Sequence, residues 1–272
     1  MISTMKDGYD PRVVLENTDH RFALILMCAG IAGIGGYMQY LGAMRRGQRD
    51  QIFCIPLATN LWNMAHDTSF VGSYRTWFDG PYDFWLLKMF WVGLIVFSAF
   101  ELVVISQIIR YSREDLFGAG CSVPRAIAIY AFLQTFVYGI FWWFRTITDD
   151  PLEYYGLTTT VIMASAFNIQ MMRARGSRRG MSEFILWGYL ILSAGFWPWM
   201  MLSDNHFCHP IYWLLAIGNL GVDIASIRYY RSLPEYVPSS SGRGRQVQRQ
   251  AADAAQDEAA VVGQAGGVPG RT

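Results

Sequence analysis

The chain has 272 residues, of which 53% are hydrophobic, 15% aromatic and only 16% charged, with a formal net charge of +1. That balance is too apolar for a soluble domain of this length and points to a membrane protein. It also leaves no basic surface for nucleic acid, and the four scattered cysteines, Cys28, Cys54, Cys121 and Cys208, form neither a disulfide framework nor a CxxC metal site and are expected to be free thiols.

In chain order, residues 1–21 form a polar N-terminal segment without the basic start, short apolar run and small-residue cleavage site of a secretory signal, so this segment is expected to be retained. Apolar runs long enough to cross a bilayer, about 20 residues each, are predicted at 22–44, 52–73, 84–110, 126–147, 154–173, 183–203 and 209–230. The second contains Pro56 and several polar residues, and the fifth opens with Thr158, Thr159 and Thr160. Arginines collect after the first span (Arg45, Arg46, Arg49), around the third loop (Arg110, Arg113, Arg125), in the fifth (Arg173, Arg175, Arg178, Arg179) and in the tail. Since cytoplasmic loops gather Lys and Arg, the expected fold is an all-α bundle of seven transmembrane helices. Its N-terminus is outside and its C-terminus cytosolic. The transmembrane domain is predicted over 22–232. Residues 233–272, rich in Gly, Ala, Gln and Ser, are expected to be a disordered cytosolic tail.

Three carboxylates, Asp67, Glu101 and Asp223, lie inside these apolar runs. A charged residue costs roughly 2.5–3.5 kcal/mol at the centre of a membrane helix, so each is a candidate functional group. At about 100° per residue, Asn60, Asn63 and Asp67 fall within about 60° of one another, with His66 on the neighbouring face. This polar stripe is expected to face the bundle interior, because lipid offers no hydrogen-bond partner. Asn60 and Asn63 alone read as interhelical contacts worth roughly 0.6 kcal/mol per bond; an aspartate beside them adds a candidate general acid. In the last span Asn219 and Asp223 are spaced i, i+4 and share a face, repeating an Asn-x-x-x-Asp theme. Glu101 reads equally well as a structural partner of Gln134, a backbone group or an interfacial arginine. Helical rise places Asp67 in the outer half and Asp223 in the inner half, about 10 Å apart in depth.

The combination of seven spans, the acid following Asn63-Met64-Ala65-His66, the acid of the third span, the loop sequence IIRYSREDLF and Asn-x-x-x-Asp in the seventh span resembles the paxilline-type integral-membrane terpene cyclases. The resemblance covers residues 25–232. The chain departs from that family where Asn-x-x-Trp-Glu is typical: histidine replaces the aromatic residue and aspartate replaces glutamate. The resemblance implies an enzyme that cyclises the prenyl chain of a meroterpenoid or indole terpene. Asp67 would protonate a terminal epoxide or alkene, and Asp223 would assist. Asn63 and Asn219 are expected to orient the two acids, with Asn60, His66 and Trp62 near the substrate.

Such chemistry needs a dry acid, a cavity that folds an isoprenoid and no water to quench the carbocation, with aromatic faces stabilising the cation by roughly 0.5–2 kcal/mol each. No cofactor or metal is expected, and the partners are a lipophilic prenylated small molecule and membrane lipid. The location is a plasma membrane or endoplasmic reticulum. Two metal-like motifs compete. DDPLE at 149–153 has the spacing of a magnesium-binding DDxxE but stands alone in a short loop, which is expected to be solvated; HFCH at 206–209 is a single short cluster. A retinal Schiff base is excluded by the absence of lysine from the last helix. The alternatives are a proton-coupled small-molecule carrier or proton pathway using the embedded carboxylates, and a membrane scaffold without chemistry.

Overall fold

The fold comes from a computed structural model that describes residues 8–237. The first seven residues lie outside the described residues, as does the expected disordered tail from 238 onward. The elements among the described residues are all helices: α1 (Pro11–His20), α2 (Phe22–Asp50), α3 (Leu57–Gly72), α4 (Tyr74–Phe78), α5 (Trp85–Tyr111), α6 (Arg113–Phe117), α7 (Val123–Thr148), α8 (Tyr154–Ala166), α9 (Asn168–Arg175), α10 (Glu183–Ser203) and α11 (Pro210–Ser232), with a short 3-10 helix at Asn205–Cys208. Five of these, α2, α5, α7, α10 and α11, are long and apolar enough to cross a membrane. Their outer faces carry bare side chains such as Phe132, Phe136, Trp143, Leu214 and Ile217, as a lipid-facing surface requires.

The second and fifth predicted spans are helical but short. Residues 51–56 leave the helix because Gln51 turns into the left-handed region at φ 51° and Pro56 disfavours helical backbone in the residue before it. α3 therefore starts at Leu57 and, with 16 residues, is about 24 Å long. The fifth segment breaks at Phe167 (φ −105°, ψ 2°). There the Asn168 side chain donates Nδ2 to the Ala164 carbonyl at 3.3 Å, a local bond that competes with the helical ladder. Part of the polar N-terminal segment also folds. Asp10 caps α1 by accepting from the Arg12 amide, Pro11 supplies the preset first helical position, and Val14 is fully buried.

The chain runs up and down, so the helix ends gather into two layers. One end carries α1, the C-termini of α3 and α7 and the N-terminus of α8; there Asn17 Nδ2 donates to the Ser203 carbonyl at 3.0 Å. At the other end Asp50 forms an ion pair with Arg46 at 2.6 Å and accepts from the Gly180 amide at 2.8 Å, and Arg231 pairs with Glu183 at 3.0 Å. In the middle, α2 and α10 approach at backbone contact. A Cβ on Gly35 would meet the Leu192 nitrogen at 2.2 Å, and one on Gly195 the Ala32 nitrogen at 2.4 Å. Small residues at such a seam let two helices pack where lipid provides no hydrophobic drive between them.

Candidate functional site

The polar stripe of α3 turns inward, and the buried helix meets α2, α5 and α7 along it. Glu101 of α5, fully buried, is the hub of this layer. Its two oxygens accept from the Tyr40 hydroxyl of α2 and from Asn60 Nδ2 of α3. Asn63 Nδ2 donates to the Tyr40 oxygen at 2.9 Å, and the Tyr130 hydroxyl of α7 donates to Asn60 Oδ1 at 2.6 Å. Gln134 lies one turn along α7 and donates to the Leu61 carbonyl at 3.0 Å, so the partners of Glu101 are Tyr40 and Asn60. Four helices are thus pinned at one level by side chains that lipid cannot satisfy.

Asp67 stands nearer the α1 end of the same stripe. With Asn63, Tyr40, Gln39 and Thr160 it forms the polar side of a cavity of ≈ 230 Å³ enclosed by α2, α3, α5, α8 and α10. Asp67 is the one carboxyl among the described residues of this wall. The rest is apolar and aromatic, including Phe90, Phe97, Phe196 and Trp199. Two buried acceptors in the polar side, Gln39 Oε1 and Asn63 Oδ1, have no hydrogen-bond partner, which suits a ligand carrying a hydroxyl or N–H donor. Of the lining residues, Tyr37 of α2 and Met89 of α5 are exposed. Gly30 and Gly33 of α2 and Gly93 of α5 also line the cavity, and a Cβ on any of them would meet nothing within 4 Å. The wall there is bare backbone, with space that a side chain would fill.

Asp223 belongs to another cluster. Its Oδ1 accepts from Ser165 of α8 at 2.5 Å and its Oδ2 from Ser193 of α10 at 2.6 Å. Asn219 Oδ1 accepts from Trp197 Nε1 at 3.1 Å and lies 3.3 Å from the Ser193 hydroxyl. The serines are chain neighbours of Ala164 and Leu192, which line the cavity, so Asp223 sits one residue behind the wall. Trp62 points away from the cavity. It packs edge-on against Phe141 and Phe144 of α7, with ring centroids at 5.5 and 6.2 Å. The structure therefore joins Asn60, Asn63 and Glu101 in one network and sets Asp67 in the adjacent cavity, apart from the Asn219–Asp223 pair.

The 149–153 loop, expected to be solvated, is largely buried. Asp150 accepts from the Tyr9 hydroxyl at 2.6 Å and from the Gly156 amide at 2.8 Å; burial pushes its carboxyl up while those bonds pull it down. Glu153 pairs with Arg145 at 2.9 Å, and burial pushes it up to about 7 against the pull of His66 and Arg145. Tyr9 covers this loop from a distant stretch of sequence, so the loop's own residues gave no sign of burial. His66 Nδ1 lies 2.8 Å from Asp67 Oδ1, which makes His66 the hydrogen-bond partner of the cavity acid. In HFCH, His206 Nε2 meets the Tyr155 hydroxyl at 2.9 Å and His209 Nδ1 accepts from the Ile211 amide at 3.3 Å. Both histidines serve local structure, and among the described residues no three His, Cys, Asp or Glu side chains gather around a common point. Tyr40, central to the Glu101 network, is marked in the sequence by no more than the polar pair Gln39-Tyr40 inside an apolar run. Comparison with protein-family models, with curated proteins and with solved structures gives no match to this chain.

Proposed function

We propose that the chain is a membrane-bound terpene cyclase in which Asp67 protonates the terminal epoxide or alkene of a prenyl chain held in the cavity. The observation that carries this reading is a single carboxyl in the wall of a largely apolar, aromatic-lined cavity among apolar helices. A prenyl chain enters such a space from the bilayer without crossing water, and exclusion of water protects the cation that protonation creates. Phe90, Phe97 and Trp199 present faces and edges for that cation. His66 orients the acid, and the Glu101 network fixes α3, which carries it. Asp223 serves in this reading to hold α8, α10 and α11 together, a narrower role than the family resemblance implies. The motif resemblance to paxilline-type cyclases and the seven helical segments agree with the proposal. In this reading α3 and the α8–α9 pair complete a seven-span bundle, and the arginine-rich end faces the cytosol by the positive-inside rule. That leaves the α1 end outside, in a plasma membrane or endoplasmic reticulum.

Cyclisation is an isomerisation, so membranes carrying the chain and fed prenylated aromatics or their terminal epoxides are expected to yield a product of unchanged mass and altered retention time. A second reading, a proton-coupled carrier or proton pathway, is favoured by one feature: polar groups continue along the bundle from Asp67 through Asn63 and Tyr40 to Glu101. Unchanged substrates together with proton flux that depends on Asp67 would select that reading instead.

A further inference from the structure

Two buried polar atoms have no hydrogen-bond partner, His66 Nε2 and Glu153 Oε2, and both residues line one small cavity. Each side chain is 1% exposed. The cavity measures ≈ 10 Å³ and its remaining wall is largely apolar, built from residues such as Phe70, Leu152 and Leu157. Folded proteins rarely leave buried polar atoms unsatisfied, and a space of about 10–15 Å³ holds one water when at least two polar groups receive it. The surroundings fix which atoms remain. Asp67 engages Nδ1 of His66 and leaves Nε2. Arg145 at 2.9 Å and Ser73 at 3.3 Å engage Oε1 of Glu153 and leave Oε2. Arg145 in turn is 17% exposed, so Glu153 lies one residue from the surface at the α1 end.

We propose that Glu153, one water and His66 form a proton path that reloads Asp67 from the end of the bundle carrying the 149–153 loop. The inference rests on reading Asp67 as a proton donor. After Asp67 has given up its proton, His66 passes its Nδ1 proton to Asp67 Oδ1. The water gives a proton to Nε2 and takes one from Glu153. Asp67 ends neutral, His66 ends as its other neutral tautomer, and Glu153 ends as a carboxylate held by Arg145. Glu153 regains its proton from solvent water, and the first tautomer returns by exchange with water, in which Nδ1 gains a proton and Nε2 releases one, with no net change of charge. The charged and titratable groups around the path are Asp67 and His66 from α3, Arg145 from α7, Tyr154 of α8, which lines the same cavity, and Asp150 beside Glu153, itself held by Tyr9. A carboxyl that changes state near pH 7 suits such a step.

The test follows His66 by nuclear magnetic resonance in the full chain, labelled with ¹⁵N-histidine and held in lipid nanodiscs, from about pH 5 to 9. His66→Asn identifies the resonances. The wild type is expected to show a His66 shift that steps as Glu153 titrates, and Glu153→Gln is expected to abolish that step. If Glu153→Gln does not fold, Glu153→Asp replaces it and must move the step to a new pH. Absence of the step in the wild type, or its survival unchanged in the variant, overturns the proposal. The readout needs no substrate, so a missing cyclised product with the step intact removes the cyclase reading and leaves the path standing.

Discussion

Replacing Asp223 with alanine removes the acceptor of two serine hydroxyls, Ser165 at 2.5 Å and Ser193 at 2.6 Å, at a site 1% exposed. Two average interhelical hydrogen bonds in a bilayer amount to about 1 kcal/mol, which sets the lower bound. Two buried hydroxyls left unpaired cost about 1–3 kcal/mol each, but Ser193 has Asn219 Oδ1 within 3.3 Å to turn to, so the loss stays below about 4 kcal/mol. At about 2–4 °C per kcal/mol for a chain of this size, the melting temperature of Asp223→Ala should fall by several degrees or more. Asp223→Asn should fall far less, by about 1 kcal/mol, because a serine hydroxyl that donates to a carboxylate can instead accept from the new amide. Thermal unfolding of the purified variants in one detergent measures both. An Asp223→Ala protein as stable as the wild type would refute the reasoning and return Asp223 to the chemistry.

The α2–α10 seam and the cavity wall give opposite outcomes for one kind of substitution. Gly35→Leu, whose Cβ would sit 2.2 Å from a backbone nitrogen, should prevent folding or destabilise by more than about 3 kcal/mol, read as loss of monodisperse protein. Gly30→Leu meets nothing within 4 Å and should leave the melting temperature within about 1 kcal/mol of wild type while weakening capture of a long prenyl ligand. The pH dependence of stability should carry the mark of Glu153, raised from 4.5 to about 7 by burial. The unfolded chain releases this proton first, so stability from this group is highest below pH 4.5 and falls as pH rises through about 7. The difference amounts to about 3 kcal/mol. Melting curves of wild type and Glu153→Gln should diverge over that window, and parallel curves would refute the assignment.

Much of the architecture was legible because its signals are local. All seven predicted segments are helical, with limits mostly within a few residues, since a long apolar run and its polar ends are read directly from the chain. The breaks at 51–56 and Phe167 were less legible. Pro56 marked the first, but the extent of α3 depends on Gln51 adopting a left-handed turn, and the second rests on a single asparagine side chain. Helical periodicity placed Asn60, Asn63 and Asp67 on one face, and all three are buried. Periodicity does not say which partner each residue meets. Glu101 finds Tyr40 from 61 positions away, while Asp67 finds a cavity whose shape depends on glycines in two other helices. The Asn219–Asp223 pair shares one cluster, as i, i+4 spacing implies, yet only tertiary packing sets that cluster behind the cavity wall. The burial of Asp150 and Glu153 depends on Tyr9 folding back over a loop some 140 positions later, beyond the reach of any local pattern.

The rate of equal-mass product formation in nanodiscs by wild type, Asp67→Asn and Asp223→Asn, each supplied with a prenylated aromatic bearing a terminal epoxide, bears on the proposed acid without intermediate assumptions. General-acid catalysis contributes about 10²–10⁴-fold. Asp67→Asn should therefore lose at least about 100-fold, while Asp223→Asn keeps its rate within about tenfold at a temperature where it is folded. Product formed by Asp67→Asn at the wild-type rate would contradict the assignment of Asp67 as the acid.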